Sequence, residues 1–218
     1  MTLARRLAAE GIGTALLLAA IIGSGIMGER LAGGNTAVAL LANTLATGAA
    51  LVALILTFGP ISGAHYNPLV SVAEAMWGRL SWRDVPPYAL VQFAGAFAGV
   101  AAAHLMFGEE IFSVSRHARA GLPQIWSEAV ATFGLICVIL GTVKTRPAIV
   151  PFAVAAFITA AYWFTASTSF ANPAVTLARA ASDTFAGIDL NDAPGFLIGQ
   201  VIGAAAGLSL MKWLLRTT

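Results

Sequence analysis

The hydrophobic positions of this chain fall in runs too long for ordinary strands. Six of them, Gly11–Met27, Thr36–Phe58, Val85–Phe107, Ile125–Val143, Ala148–Ala166 and Gly195–Leu215, each come close to the ~20 residues that cross a hydrocarbon core. They predict six spanning helices. Two shorter stretches, Asn67–Trp77 and Asn172–Ala181, begin with Asn-Pro. Asparagine caps a helix N-terminus well, and proline fits the first turn, where its missing N–H is no loss. Both stretches read as helix starts. About eleven residues cannot span a bilayer but suffice for half a crossing at ~1.5 Å per residue. Irregular backbone leading into such a half-helix survives at that depth only beside protein or a water-filled cavity.

The polar residues interrupting this pattern recur in one order. Glu10-x-x-x-Thr14 returns as Glu128-x-x-x-Thr132, Asn67-Pro68 as Asn172-Pro173, and Gln92-x-x-Gly95-x-x-x-Gly99 as Gln200-x-x-Gly203-x-x-x-Gly207. The offset is roughly 110 residues, the mark of an internal repeat. Residues 1–107 form the first unit, 108–124 a connecting loop and 125–218 the second, within one membrane domain. Three spans per unit is an odd number, so the second unit runs through the membrane in the opposite sense. Inverted repeats with broken helices build a site near the bilayer midplane. The match between the first run and the segment from Glu128 argues that the first run is a retained span and not a cleaved leader, despite Arg5-Arg6 before it.

Composition agrees. The chain is 58% hydrophobic and 10% charged, which places it among membrane proteins. With the N-terminus inside, Arg5, Arg6, Arg79, Arg83, Lys144, Arg146, Lys212 and Arg216 face the cytoplasm, and Arg30, Arg116, Arg119 and Arg179 face outward. That asymmetry predicts a multi-pass plasma-membrane (inner-membrane) protein with both termini cytoplasmic. A net charge of +2 gives no reason to expect nucleic acid. Cys137 has no second cysteine to pair with, and His104 and His117 lack the companions of a metal site. No cofactor is expected. The Gly-x-x-x-Gly pairs predict close helix contacts.

Six spans, an inverted repeat and two Asn-Pro half-helices resemble the aquaporin (major intrinsic protein) family over essentially the whole chain. Ser62-Gly63-Ala64-His65-Tyr66-Asn67-Pro68 looks like that family's first pore loop, and Thr168-Ser169-Phe170-Ala171-Asn172-Pro173-Ala174 like its second. The resemblance implies an all-α, aquaporin-like bundle of six transmembrane helices and two half-helices that meet at the midplane. It also implies one pore per subunit, a homotetramer in the lipid bilayer, and passage of small neutral solutes and water. By the same resemblance, Glu10, Glu128, Gln92 and Gln200 hold the pore-loop backbone; His65, two residues before Asn67, is expected to line the inner vestibule and either donate to solute or serve loop structure.

If both half-helix N-termini point at the pore centre, their dipoles oppose cations there. Asn67 and Asn172 would each cap a helix through the side-chain oxygen while the NH₂ donates to a passing solute. Orienting water in this way interrupts a proton wire. Leu69 departs from the family's usual alanine, which Ala174 keeps; it either narrows the inner side or packs between helices, and bulky apolar residues usually fill space. The residue after the second motif is commonly an arginine, and here it is Val175. Without gaps, the other outer-filter positions by resemblance are Thr47, Ala160 and Ser169, four small or medium side chains that imply a wide, neutral mouth. Such a mouth resembles the aquaglyceroporin-like channels of bacterial arsenic resistance, which implies polyols and undissociated arsenite or methylarsenicals. Arg179, one turn after Val175, either overhangs the outer mouth or binds loop carbonyls or Asp183. The alternatives are a water-selective aquaporin and an ion-coupled secondary transporter; no nucleophile–base or metal constellation suggests an enzyme.

Overall fold

The computed structural model describes residues 1–215, so Arg216 lies outside the described residues. The order is α1 (Leu3–Leu31), α2 (Thr36–Ser62), α3 (Pro68–Met76), α4 (Val85–Phe107), α5 (Leu122–Thr145), a 3-10 turn (Pro147–Ile149), α6 (Val150–Phe164), α7 (Pro173–Arg179) and α8 (Ala193–Leu214). Long, long, short, long occurs twice. Among the described residues six helices are long and apolar enough to cross a membrane, and no strand forms.

Helix ends follow local chemistry more than hydropathy. α1 starts at Leu3, well before the apolar run, because Thr2 caps it and Arg5 and Arg6 extend the helix beyond the lipid-facing stretch. Asn35 caps α2 through its side-chain oxygen, which accepts from Ala37 N and Val38 N at 3.1 and 3.2 Å. α2 runs through Pro60 and stops at Gly63, whose φ of 99° suits glycine and turns the chain into the first loop. α6 is shorter than its apolar run because Pro147 and Pro151 confine its start and Thr165 leaves helical geometry.

Close packing joins α1 to α4 and α5 to α8, and α2 to α6 across the halves. The repeated glycines make it possible. A Cβ on Gly95 would lie 2.3 Å from Gly11 O, and one on Gly99 2.2 Å from Ala15 O. In the second half, Gly203 would meet Ala129 O at 2.1 Å and Gly207 would meet Phe133 O at 2.8 Å. These backbones touch where any other residue would hold them apart. Ion pairs then mark the two faces of the bundle. Arg6 pairs with Asp84 at 3.0 Å on the face that carries the N-terminus, hereafter the near face. Arg30–Glu109 and Arg116–Asp183, at 2.7 and 3.2 Å, lie on the far face.

Candidate functional site: a lumen between two opposed half-helices

The loops entering α3 and α7 are held in strained geometry. Ala64 and Tyr66 in the first, and Thr168, Ser169 and Ala171 in the second, have φ between 47° and 60°, a region that costs non-glycine residues of order 1–3 kcal/mol each. A buried carboxylate over-determines each loop. Glu10 Oε1 accepts from Ser62 Oγ at 2.7 Å and His65 N at 2.9 Å, and its Oε2 from Tyr66 N and Gln92 Nε2, both at 2.8 Å. Glu128 repeats the device: Phe170 N donates to Oε1 at 2.9 Å, and Ala171 N and Gln200 Nε2 donate to Oε2 at 2.8 and 2.6 Å. Each glutamine also donates into its half-helix, Gln92 to Ser71 Oγ and Gln200 to Thr176 Oγ1.

With their N–H groups drawn toward the carboxylates, the loops leave carbonyls over. Among the described residues the carbonyl oxygens of Gly63, Ala64, His65, Ser169 and Phe170 accept no hydrogen bond, and all five residues line one cavity of about 660 Å³. Asn67 and Asn172 line it too. Asn67 Oδ1 caps α3 by accepting from Leu69 N at 3.0 Å. Asn172 Oδ1 caps α7 through Ala174 N and Val175 N at 3.0 and 3.4 Å. The amide groups cross: Asn67 Nδ2 donates to Ala171 O, and Asn172 Nδ2 to Tyr66 O, both at 2.8 Å. One N–H of each amide is thus committed to the opposing loop, and the other remains for the lumen.

Pro68 and Pro173 occupy the first helical turn of α3 and α7. Leu69 packs against the apolar core and Ala174 is fully buried. Neither lines the cavity. Towards the near face, the lumen passes His65, whose Nδ1 sits 3.0 Å from Ser71 Oγ, and Glu74, whose carboxylate grips Arg79 at 2.5 and 2.7 Å. Towards the far face it passes Thr47, Ser169, Val175 and Arg179. Ser169 Oγ is buried without a protein partner.

Ala160 corrects the sequence reading: it is exposed and does not line the cavity, whereas Tyr162 does. The inward stripe of α6 is Val154, Ile158 and Tyr162, spaced by four, and a residue two positions before Tyr162 points to the other side of the helix. Tyr162 Oη lies 3.3 Å from Thr47 Oγ1. The far mouth is therefore not as wide as four small side chains would make it.

The segment 108–121 is tied to the chain that follows α7. Ser113 N and Ser115 N donate to Ala181 O and Ala180 O at 3.1 and 3.0 Å, and His117 O accepts from Asp189 N at 2.8 Å. His104 anchors the start of the segment through Nδ1, 2.6 Å from Glu110 O. Anchored in this way, the segment delivers Arg119, which the sequence pattern did not single out. Arg119 Nε donates to Gly187 O at 2.8 Å, and Nη1 reaches Ser167 O and Thr168 Oγ1 at 3.3 and 3.4 Å. Burial pushes this guanidinium down to about 10, still protonated at neutral pH. Arg179, 2% exposed, donates from Nε to Ala186 O and does not pair with Asp183.

Three comparisons bear on this arrangement. Residues 1–151 match the sequence pattern of the family described as "Major intrinsic protein". The chain is 53% identical over 214 residues to aquaglyceroporin AqpS of Rhizobium meliloti (strain 1021), covering 98% of this chain and 91% of that one. It is 31% identical to the probable aquaporin AqpM of Archaeoglobus fulgidus, covering 99% of both. The aquaglyceroporin from Plasmodium falciparum has the same fold, with a TM-score of 0.72 at 18% identity over 97% of this chain and 95% of that one. Taken with the six spans and the paired half-helices, these similarities show that the chain belongs to the major intrinsic protein family, whose members are membrane channels and not enzymes.

Proposed function

We propose that the protein is a passive channel of the plasma membrane for small uncharged solutes, among them glycerol-like polyols, undissociated arsenous acid or methylarsenicals, and water. The observation that carries this reading is the pair of crossed asparagines. Each keeps one N–H for a hydroxyl oxygen at the centre of a lumen that also offers unpartnered carbonyls. A solute with several hydroxyls can donate to the carbonyls and accept from the amides, exchanging water for protein at little cost. Val175 supports passage of molecules larger than water by leaving the far constriction without a side-chain donor at that position. The 53% identity to a protein named an aquaglyceroporin supports it further. We infer the homotetramer on the same family grounds, and the cytoplasmic termini from the distribution of Lys and Arg.

Ion-coupled transport finds little support. Among the described residues the buried carboxylates are Glu10, Glu74 and Glu128, and each is already committed to loop N–H groups or to Arg79. None is left to bind and release an ion. A water-selective pore draws some support from Tyr162, which narrows the far constriction. Osmotic light scattering on proteoliposomes, with water, glycerol, urea and arsenous acid side by side, separates the readings. Val175→Arg is expected to curb glycerol and arsenous acid flux while water flux persists. Solute flux equal to that of the unmodified protein would sink the proposal.

A further inference from the structure

The last turns of the two half-helices carry Glu74 and Arg179 at matching places in the repeat, and they are treated differently. Glu74 is neutralised by the bidentate contact with Arg79. Arg179 forms no ion pair among the described residues. Among the described residues the ion pairs are Arg6–Asp84, Arg30–Glu109, Arg79–Glu74 and Arg116–Asp183, and neither Arg179 nor Arg119 takes part. The acids nearby are spent. Asp183 accepts from the backbone and side chain of Arg116 at 2.8 and 3.2 Å. Asp192 Oδ2 accepts from the Arg119 backbone N–H at 2.7 Å.

Both guanidinium groups lie against one ring. The Arg179 guanidinium carbon is 3.4 Å from the Phe170 ring centroid and that of Arg119 is 5.1 Å from it. Phe170 is itself fixed edge-on by Phe196 at 4.9 Å. It lines the lumen and belongs to the loop that presents Asn172. Two positive charges from different elements, a half-helix end and the connecting segment, thus lie against one lumen-lining ring, and Arg179 itself lines the lumen. Among the described residues, the terminal nitrogens of Arg179 and the Nη2 of Arg119 donate to no protein acceptor.

We propose that Arg119 and Arg179 together form a charge collar at the far mouth that excludes cations and receives the oxygen atoms of entering neutral solutes. The inference rests on the channel reading and assigns the selectivity at one of its ends. Thr47, Tyr162, Ser169 and Val175 bring no cationic group to the constriction itself, so a cation meets its repulsion from these two guanidinium groups. Beside a low-dielectric wall, a like charge within a few ångströms is a far larger barrier than in bulk water. A hydroxyl or carbonyl oxygen finds the unused N–H donors instead.

The test uses the whole protein in proteoliposomes, with a sodium-selective dye inside and water flux recorded on the same vesicles. Arg119→Gln, on the connecting segment, is expected to raise sodium entry about tenfold, and Arg119→Gln with Arg179→Met to raise it further. Arg119→Lys with Arg179→Lys, which keeps both charges, is expected to stay tight. Because Arg179 is buried and Arg179→Met can fail to fold, the single Arg119→Gln variant decides alone, provided it is monodisperse and its vesicles conduct water above protein-free ones. Sodium entry in folded Arg119→Gln equal to that of the unmodified protein would overturn the collar. Unmodified protein that conducts no more than empty vesicles would instead overturn the channel reading.

Discussion

Replacing Glu128 by glutamine changes no shape and removes one acceptor from the centre of the second pore loop. The carboxylate receives Phe170 N on one oxygen and Ala171 N on the other. A glutamine side chain offers one oxygen and one NH₂, so whichever way it sits, one of those backbone N–H groups faces another donor. The lost charge-assisted bond is worth about 1.5–3 kcal/mol, and the orphaned buried N–H costs about 1–3 kcal/mol more. Against this stands the strain at Thr168, Ser169 and Ala171, which is of the same size in total. The balance that holds the loop is therefore reversed, and it relaxes toward ordinary backbone angles, carrying Asn172 away from the lumen. Thermal unfolding in detergent is expected to fall by roughly 10 °C, taking ~2–4 °C per kcal/mol for a chain of this size. Glycerol and water flux should drop together. Glu10→Gln in the first loop is expected to behave alike. If Glu128→Gln keeps both the melting temperature and the flux of the unmodified protein, the claim that these carboxylates hold the pore loops is wrong.

Other consequences can be checked in the same preparations. Gly203→Ala and Gly95→Ala place a methyl against backbone at 2.1 and 2.3 Å and should destabilise by about 1–3 kcal/mol or more. Gly59→Ala meets only Ile55 Cγ2 at 3.9 Å and should melt no lower than the parent; equal melting of all three would contradict the close α1–α4 and α5–α8 contacts. Tyr162→Ala removes the largest uncharged side chain at the far constriction and should raise glycerol flux relative to water several-fold, whereas an unchanged ratio would place the constriction elsewhere. His117 is held below its ordinary value by burial, then by the charges of Arg119 and Arg179, with Asp183 opposing. Because the folded state then binds fewer protons than the unfolded one, this group leaves stability flat above about pH 6.5 and lowers it below. A melting series from pH 8 to pH 5 on the parent and on His117→Ala should diverge only on the acid side.

Much of this arrangement was legible in the order of residues, because lipid imposes strong rules. A span needs a long apolar run, and a buried Glu or Gln needs a partner, so Glu10, Gln92, Glu128 and Gln200 stood out against their surroundings before any contact was known. The two Asn-Pro pairs announced half-helices because capping chemistry is local. Rotation about a helix axis was harder to read. Ala160 and Tyr162 are two residues apart, and an ungapped match in an apolar helix gives no signal for which of them turns inward. Arg119 escaped because the connecting segment has no periodicity, and its place depends on backbone bonds to the chain after α7 that no sequence pattern encodes. The crossing of the asparagine amides was hidden for a related reason. A cap specifies where the oxygen goes and is silent about the nitrogen.

That crossing also bears on biogenesis. Asn67 and Ala171 stand 104 positions apart, so a ribosome releases the first well before the second exists, and the amide must wait in the nascent chain for its acceptor. A severed first half would be left with a polar tip stranded in oil, a state that quality-control proteases and chaperones are suited to detect. Completion of translation and maturation of the conducting form therefore coincide, and fragments from premature stops are expected to be cleared without ever becoming leaks.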